Sequence, residues 1–164
     1  MHARGHFGLT LLIGSLLALP FGLGPNYLIV TTIFAAATLS SLPDIDIKLG
    51  LAHRRVTHTL LFGVVVGLGF GFLFGYSSGL SMGVVGFLAG IGSVASHILG
   101  DLLTYMEFSP LAPFSYKRLS FKKFRADDPV MNKLFFDAGI IMFFLYVFIS
   151  SGALEYLSVF NRLI

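Results

Sequence analysis

The sequence predicts an all-α fold, a polytopic membrane bundle of about five transmembrane helices with its N-terminus in the cytosol. Three observations predict it. The chain is 55% hydrophobic and only 12% charged, about half the charge of a soluble domain, and its mean hydropathy is +0.86. Apolar runs long enough to cross a bilayer, at about 1.5 Å per helical residue, recur along all 164 residues. Ten of the eleven lysines and arginines fall in segments that five spans place on one side.

A single integral membrane domain over residues 1–164 accounts for the whole pattern. Met1 to His6, with Arg4, lead into the first span at about residues 7–23. A charged start before an apolar core also fits a signal peptide, but further spans follow and no cleavage site precedes a polar domain. Pro20, Gly22, Gly24 and Pro25 make a short turn before the second span, residues 26–42. A polar segment from Pro43 to His58 carries Lys48, Arg54 and Arg55 and leads into the third span, residues 59–74. Tyr76 to Gly79 make an uncharged turn before the fourth span, residues 80–104.

The basic loop, residues 105–133, holds Lys117, Arg118, Lys122, Lys123, Arg125 and Lys133 between aromatic residues. That mixture suits an interface with anionic headgroups, and the loop reads as a cytosolic flap or an anchoring segment. Asp128-Pro129 reads as an N-cap followed by the first helical residue. The fifth span, residues 130–152, and a short tail end the chain. The expected location is the cytoplasmic membrane, multi-pass, with the lipid bilayer as surroundings and no nucleic-acid partner. The sequence contains no cysteine, which excludes disulfides and thiolate metal sites.

His97 and Asp101 are four residues apart in the fourth span, so a helix stacks them on one face. Ionisable groups inside a membrane helix are costly and mark function by default. The same spacing suits metal ligation from one helix. On the topology above, His6 at the start of span one, Asp44 and Asp46 at the end of span two, and His58 at the start of span three share the cytosolic level of His97 and Asp101. Imidazole and carboxylate together suit zinc or another divalent first-row ion. Asp44 and Asp46, on an irregular turn after Pro43, are the catalytic candidates, one supplying a ligand and the other a general base. His53 is an additional ligand or supporting group, or a solvated loop residue. Arg54 and Arg55 are placed to clamp a substrate phosphate or to meet lipid headgroups. Asp137, in the fifth span, is a weaker candidate.

Gly5-His6-Phe7-Gly8, Leu42-Pro43-Asp44-Ile45-Asp46, His53-Arg54-Arg55-Val56-Thr57-His58-Thr59 and Ser96-His97-Ile98-Leu99-Gly100-Asp101 resemble the signature of the YdjM-type family of predicted membrane-bound metal-dependent hydrolases. Arg55 stands where that family often has glycine. The order of motifs is also distantly similar to the zinc-dependent phospholipase C superfamily. That similarity implies His58, His97 and Asp101 as ligands of one metal, Asp101 bridging to a second held with His6, and Asp44 as ligand or base for the attacking water. The superfamily also uses a second histidine cluster and an N-terminal tryptophan. Here no histidine follows His97 and the first residue is Met1, so the expectation is one or two divalent ions, with zinc as the first choice.

The functional expectation is a membrane-embedded metal-dependent hydrolase. It acts on an ester, with a phospholipid-type phosphoester as the leading class, through metal-activated water at the cytosolic face. A metal-binding transporter or sensor without hydrolysis is the alternative. It would spread ligands through the depth of the bundle. A structural hydrogen-bonded polar cluster is the third reading.

Overall fold

The computed structural model describes residues 1–21, 26–50 and 54–151. His53, the glycines and proline of the first turn beyond Phe21, and the tail beyond Ser151 lie outside the described residues. Six α-helices follow in order: α1 Ala3–Ala18, α2 Tyr27–Leu39, α3 Ile45–Lys48, α4 Leu60–Ser78, α5 Leu80–Leu102 and α6 Pro129–Ser150. Among the described residues five helical segments are long and apolar enough to cross a membrane. The bundle is all-α and belongs to a membrane protein, as the composition predicts.

Helix starts follow local chemistry. The Asn26 side chain accepts from the backbone N–H groups of Leu28 and Ile29, and Thr59 Oγ1 accepts from Phe62 N at 3.1 Å. Asp128 caps α6 through Val130 N and Met131 N, with Pro129 at the first helical position. Each cap gives partners to N–H groups that have none inside the helix. Because α6 already starts at Pro129, Lys133 is helical rather than part of the loop, and it pairs one turn on with Asp137.

The second span does not run as one unbroken helix. After α2 ends, Pro43 sits in a 3-10 turn, Leu42–Asp44, and α3 adds one further turn. Proline cannot donate to an i−4 carbonyl, so the backbone re-forms at a new angle. This break places Asp44 and Asp46 at one end of the bundle, level with the last turns of α5.

Helix α5 is the axis of the fold and packs on α1, α2 and α4, while α6 packs on α1. Two contacts demand glycine. A Cβ at Gly90 would lie 2.7 Å from Gly67 Cα, and one at Gly139 would collide with the Gly8 carbonyl. The helices of the α4–α5 and α1–α6 pairs therefore approach backbone to backbone, the small-residue packing expected without a hydrophobic drive between helices in lipid. Outward faces carry Val65, Leu68 and Phe72 on α4 and Ile141, Phe144 and Phe148 on α6, all exposed. In a membrane these faces meet acyl chains.

The connection between α5 and α6 is tied down at the same end as Asp44. Phe121 N donates to Leu102 O at 2.6 Å and Lys123 N to Leu103 O at 2.9 Å. Phe108 and Leu119 exchange backbone hydrogen bonds. Phe108 joins the core cluster of Val94, Ile98 and Leu102, and Phe124 joins that of Met1 and Leu9. The loop is thus a packed cap across this end of the bundle.

Candidate metal centre

Four segments bring ionisable groups together beneath that cap. α1 contributes His6, the break after α2 contributes Asp44 and Asp46, the turn before α4 contributes Arg54 and His58, and α5 contributes His97 and Asp101. His58 and His97 are 0% exposed, and His6, Asp46 and Asp101 are each 1% exposed. The side chain of Asp44 keeps 26% of its surface, which makes it the most open of the group.

The two inner histidines are oriented from outside. His97 Nδ1 lies 2.7 Å from the Ser40 carbonyl oxygen, which can only accept, so that nitrogen carries the proton. His58 Nδ1 lies 3.0 Å from Thr57 Oγ1 and 3.5 Å from Asp46 Oδ2. Thr57 Oγ1 spends its own hydrogen on Asp46 Oδ2 at 2.8 Å, so its oxygen accepts from His58. With the protons on Nδ1, a single metal ion or a single proton can sit between the two Nε2 atoms, which face each other across 3.1 Å. A carboxylate or carbonyl behind a ligating histidine is the usual support of a metal site.

Two carboxylate oxygens complete a cage around these nitrogens. Asp44 Oδ1 is 3.5 Å from Nε2 of both His58 and His97. Asp101 Oδ2 is 3.6 Å from His58 Nε2 and 3.8 Å from His97 Nε2. Tetrahedral zinc with bonds of about 2.0–2.2 Å has ligand–ligand edges of about 3.3–3.6 Å. The measured edges, 3.1 to 3.8 Å, bracket that range. The residues present therefore fit a divalent ion in donor type, in tautomer and in spacing. Among the described residues two overlapping groups, His58/His97/Asp101 and His6/Asp44/His97, have ligand atoms within 4.8 Å of one another.

His6 is the least satisfied member. Its ring stacks on that of His97, with centroids 3.7 Å apart, and neither ring nitrogen completes a hydrogen bond, although Nε2 lies 3.4 Å from Asp101 Oδ1. A buried imidazole whose nitrogens make no full hydrogen bond costs about 1–3 kcal/mol, so Nδ1 in particular leaves unused capacity on this side.

Two cations hold Asp101. Arg54 Nη2 lies 2.8 Å from Oδ2 and the amino group of Met1 lies 2.7 Å from Oδ1. Arg54 is itself locked. Its backbone takes the left-handed conformation, φ 61°, which is strained for a residue with a side chain. In return its N–H donates to Asp46 Oδ2 at 3.1 Å and its Nη1 to Met106 O at 3.0 Å. One residue thereby ties Asp46, Asp101 and the capping loop together.

Sequence reasoning placed His6, Asp44, Asp46, His58, His97 and Asp101 at one level, and the structure packs them into one cluster. Arg54 is buried in that cluster rather than solvated, whereas Arg55 is exposed. Asp137 is half-buried and paired with Lys133, and it is not among the grouped ligand atoms. The supporting groups were missed: Thr57, the Ser40 carbonyl, the Met1 amine and Asn132, whose Oδ1 accepts from His2 N at 2.8 Å and steadies the start of α1. Only Thr57, next to His58 in the chain, left a local signal.

Comparison of the chain with protein families identifies its family. The model of the YdjM inner membrane protein family matches residues 1–159. The chain belongs to the YdjM inner membrane protein family. The match covers every residue of the cluster and the capping loop as well. No match to the chain was found among curated proteins or among solved structures.

Proposed function

We propose that this YdjM-family protein is a membrane-embedded metal-dependent hydrolase that cleaves a phosphoester of a lipid at the cytosolic end of the bundle. The observation that carries the reading is the pair of Nε2 atoms of His58 and His97, 3.1 Å apart, caged by Asp44 and Asp101. His58, His97, Asp101 and Asp44 would hold the ion, and His6 would enlarge the site for a second. When bound, a divalent ion supplies a Lewis acid and lowers the pKa of water towards neutrality.

The chain's own residues divide the remaining work. Asp44, the most open carboxylate, accepts a proton from the attacking water through whichever oxygen is not engaged. Asp46 is a positioning residue, since it holds His58 through Nδ1 and Thr57 and is closed to solvent. Arg54 neutralises Asp101 and brings positive charge to the side where a phosphate arrives. Arg55, exposed beside it, offers a second guanidinium. The capping loop excludes bulk water from the cluster, which strengthens each of these interactions.

The test is hydrolysis of phosphatidic acid, phosphatidylglycerol and phosphatidylethanolamine by the full chain in mixed micelles, with and without added zinc or manganese. Metal-dependent release of phosphate or headgroup, lost in Asp44→Asn, supports the reading. Metal-independent hydrolysis, or none with any metal, overturns it.

A further inference from the structure

A cavity of about 700 Å³ opens beside the metal centre, between the start of α4 and the capping loop. Arg54, Arg55 and Arg118 line it, with one acidic residue, Glu107. Lys122 lies 2.8 Å from the Glu107 carboxylate and holds its pKa below the ordinary value by hydrogen bonding. The cavity is therefore a net cationic chamber. Leu61 and Phe108 supply apolar wall, and Leu61 begins the exposed apolar face of α4 that continues through Val64, Val65 and Leu68. One side of the chamber is charged and the other runs onto a surface that meets acyl chains.

Two residues join the cavity to the metal centre. Phe108 packs edge-on against His58, with centroids 6.1 Å apart. Arg54 reaches Asp101 at 2.8 Å, yet its Nε is buried and has no acceptor. A buried guanidinium donor without a partner is costly unless a ligand oxygen fills the place.

We propose that this cavity is the binding pocket for an anionic phospholipid that enters sideways from the bilayer. Arg55, Arg118 and the unpartnered Nε of Arg54 receive the phosphate, and the acyl chains leave along Leu61 and the outer face of α4. Arg118 is thereby a specificity-determining residue with no ligand role in the metal centre. The inference deepens the hydrolase reading and rests on it for the reaction that follows binding.

The experiment measures lipid retention by the full chain in detergent, using native mass spectrometry, after chelation so that no turnover occurs. Dioleoyl phosphatidic acid and dioleoyl phosphatidylcholine are the probes, and glycerol 3-phosphate is the competitor. The expected result is a preference for phosphatidic acid that falls about tenfold in Arg55→Ala and in Arg118→Ala, the loss of one charge-assisted hydrogen bond. Lys117→Ala removes the same charge from the same loop but not from the cavity, and changes retention less than about twofold. Equal losses in Lys117→Ala and Arg118→Ala, or equal retention of the two lipids, overturn the pocket. Displacement by glycerol 3-phosphate at the concentration at which phosphatidic acid itself competes assigns the chamber to a soluble phosphate and overturns the lipid assignment. The preference in a protein that hydrolyses nothing supports the pocket while the hydrolase reading fails; hydrolysis without the preference removes the pocket alone.

Discussion

His58 Nε2 and His97 Nε2 lie 3.1 Å apart, each on a ring whose Nδ1 is committed as a donor to another group. At that distance and depth the two Nε2 atoms need a cation, a proton or a metal ion, between them. A metal ion there would be ligated by both, and two carboxylate oxygens already stand at ligand spacing around it. Much of what is expected of this protein follows from that pair.

The support behind His58 should tune the site without forming it. Asp46→Asn and Thr57→Val each leave the four ligand atoms in place but loosen the ring that carries one of them. Metal affinity should fall about 10–100-fold while full occupancy remains reachable at high metal. Titration with zinc under a competing chelator reads this directly. Unchanged affinity in both variants would mean that Asp46 has no part in positioning His58.

The Arg54–Asp101 pair should matter most when the ion is absent. Arg54→Ala removes the guanidinium from a buried carboxylate and leaves it the Met1 amine and the His6, His58 and His97 rings. Breaking a buried pair from one side costs about 3–5 kcal/mol. The apparent Tm in detergent should therefore drop sharply for the chelated variant and recover in part on metal loading, since an ion compensates the same carboxylate. Equal Tm for wild type and variant after chelation would show that the pair contributes no stability.

Sidedness follows from the basic segments. The absence of cysteine makes single-cysteine labelling clean. Lys117→Cys, in the capping loop, should react only with a membrane-permeant maleimide in intact cells. Ser78→Cys, at the last residue of α4, should react with an impermeant one as well. The reverse pattern would put the cluster on the outer side.

The spans were legible because membrane helices announce themselves by composition and length, and the cluster was legible because ionisable residues are scarce in such helices. Asp128-Pro129 gave the start of α6 for the same reason that it forms, since capping is local chemistry. The break between α2 and α3 was half visible in Pro43. What the sequence hid is non-local. Arg54 reads as one more positive residue near the headgroups, and nothing in its neighbours shows that a left-handed backbone turns it inward onto Asp101. Asn132 meets His2 N where Gly8 and Gly139 let α1 and α6 touch, and the Met1 amine meets Asp101, a hundred residues along the chain. The stapling of the capping loop to the end of α5 depends on backbone hydrogen bonds that no residue pattern encodes.

The most direct test of the metal centre is elemental mass spectrometry on the detergent-purified full chain beside His97→Ala, with circular dichroism confirming that both are folded. Zinc or another divalent ion at one to two equivalents per chain, as the two overlapping ligand groups imply, and absent from the folded variant, is the predicted result. Wild-type protein that carries no ion even after reloading, or a folded His97→Ala that keeps the full amount, would contradict it and leave a hydrogen-bonded polar cluster in place of a metal site.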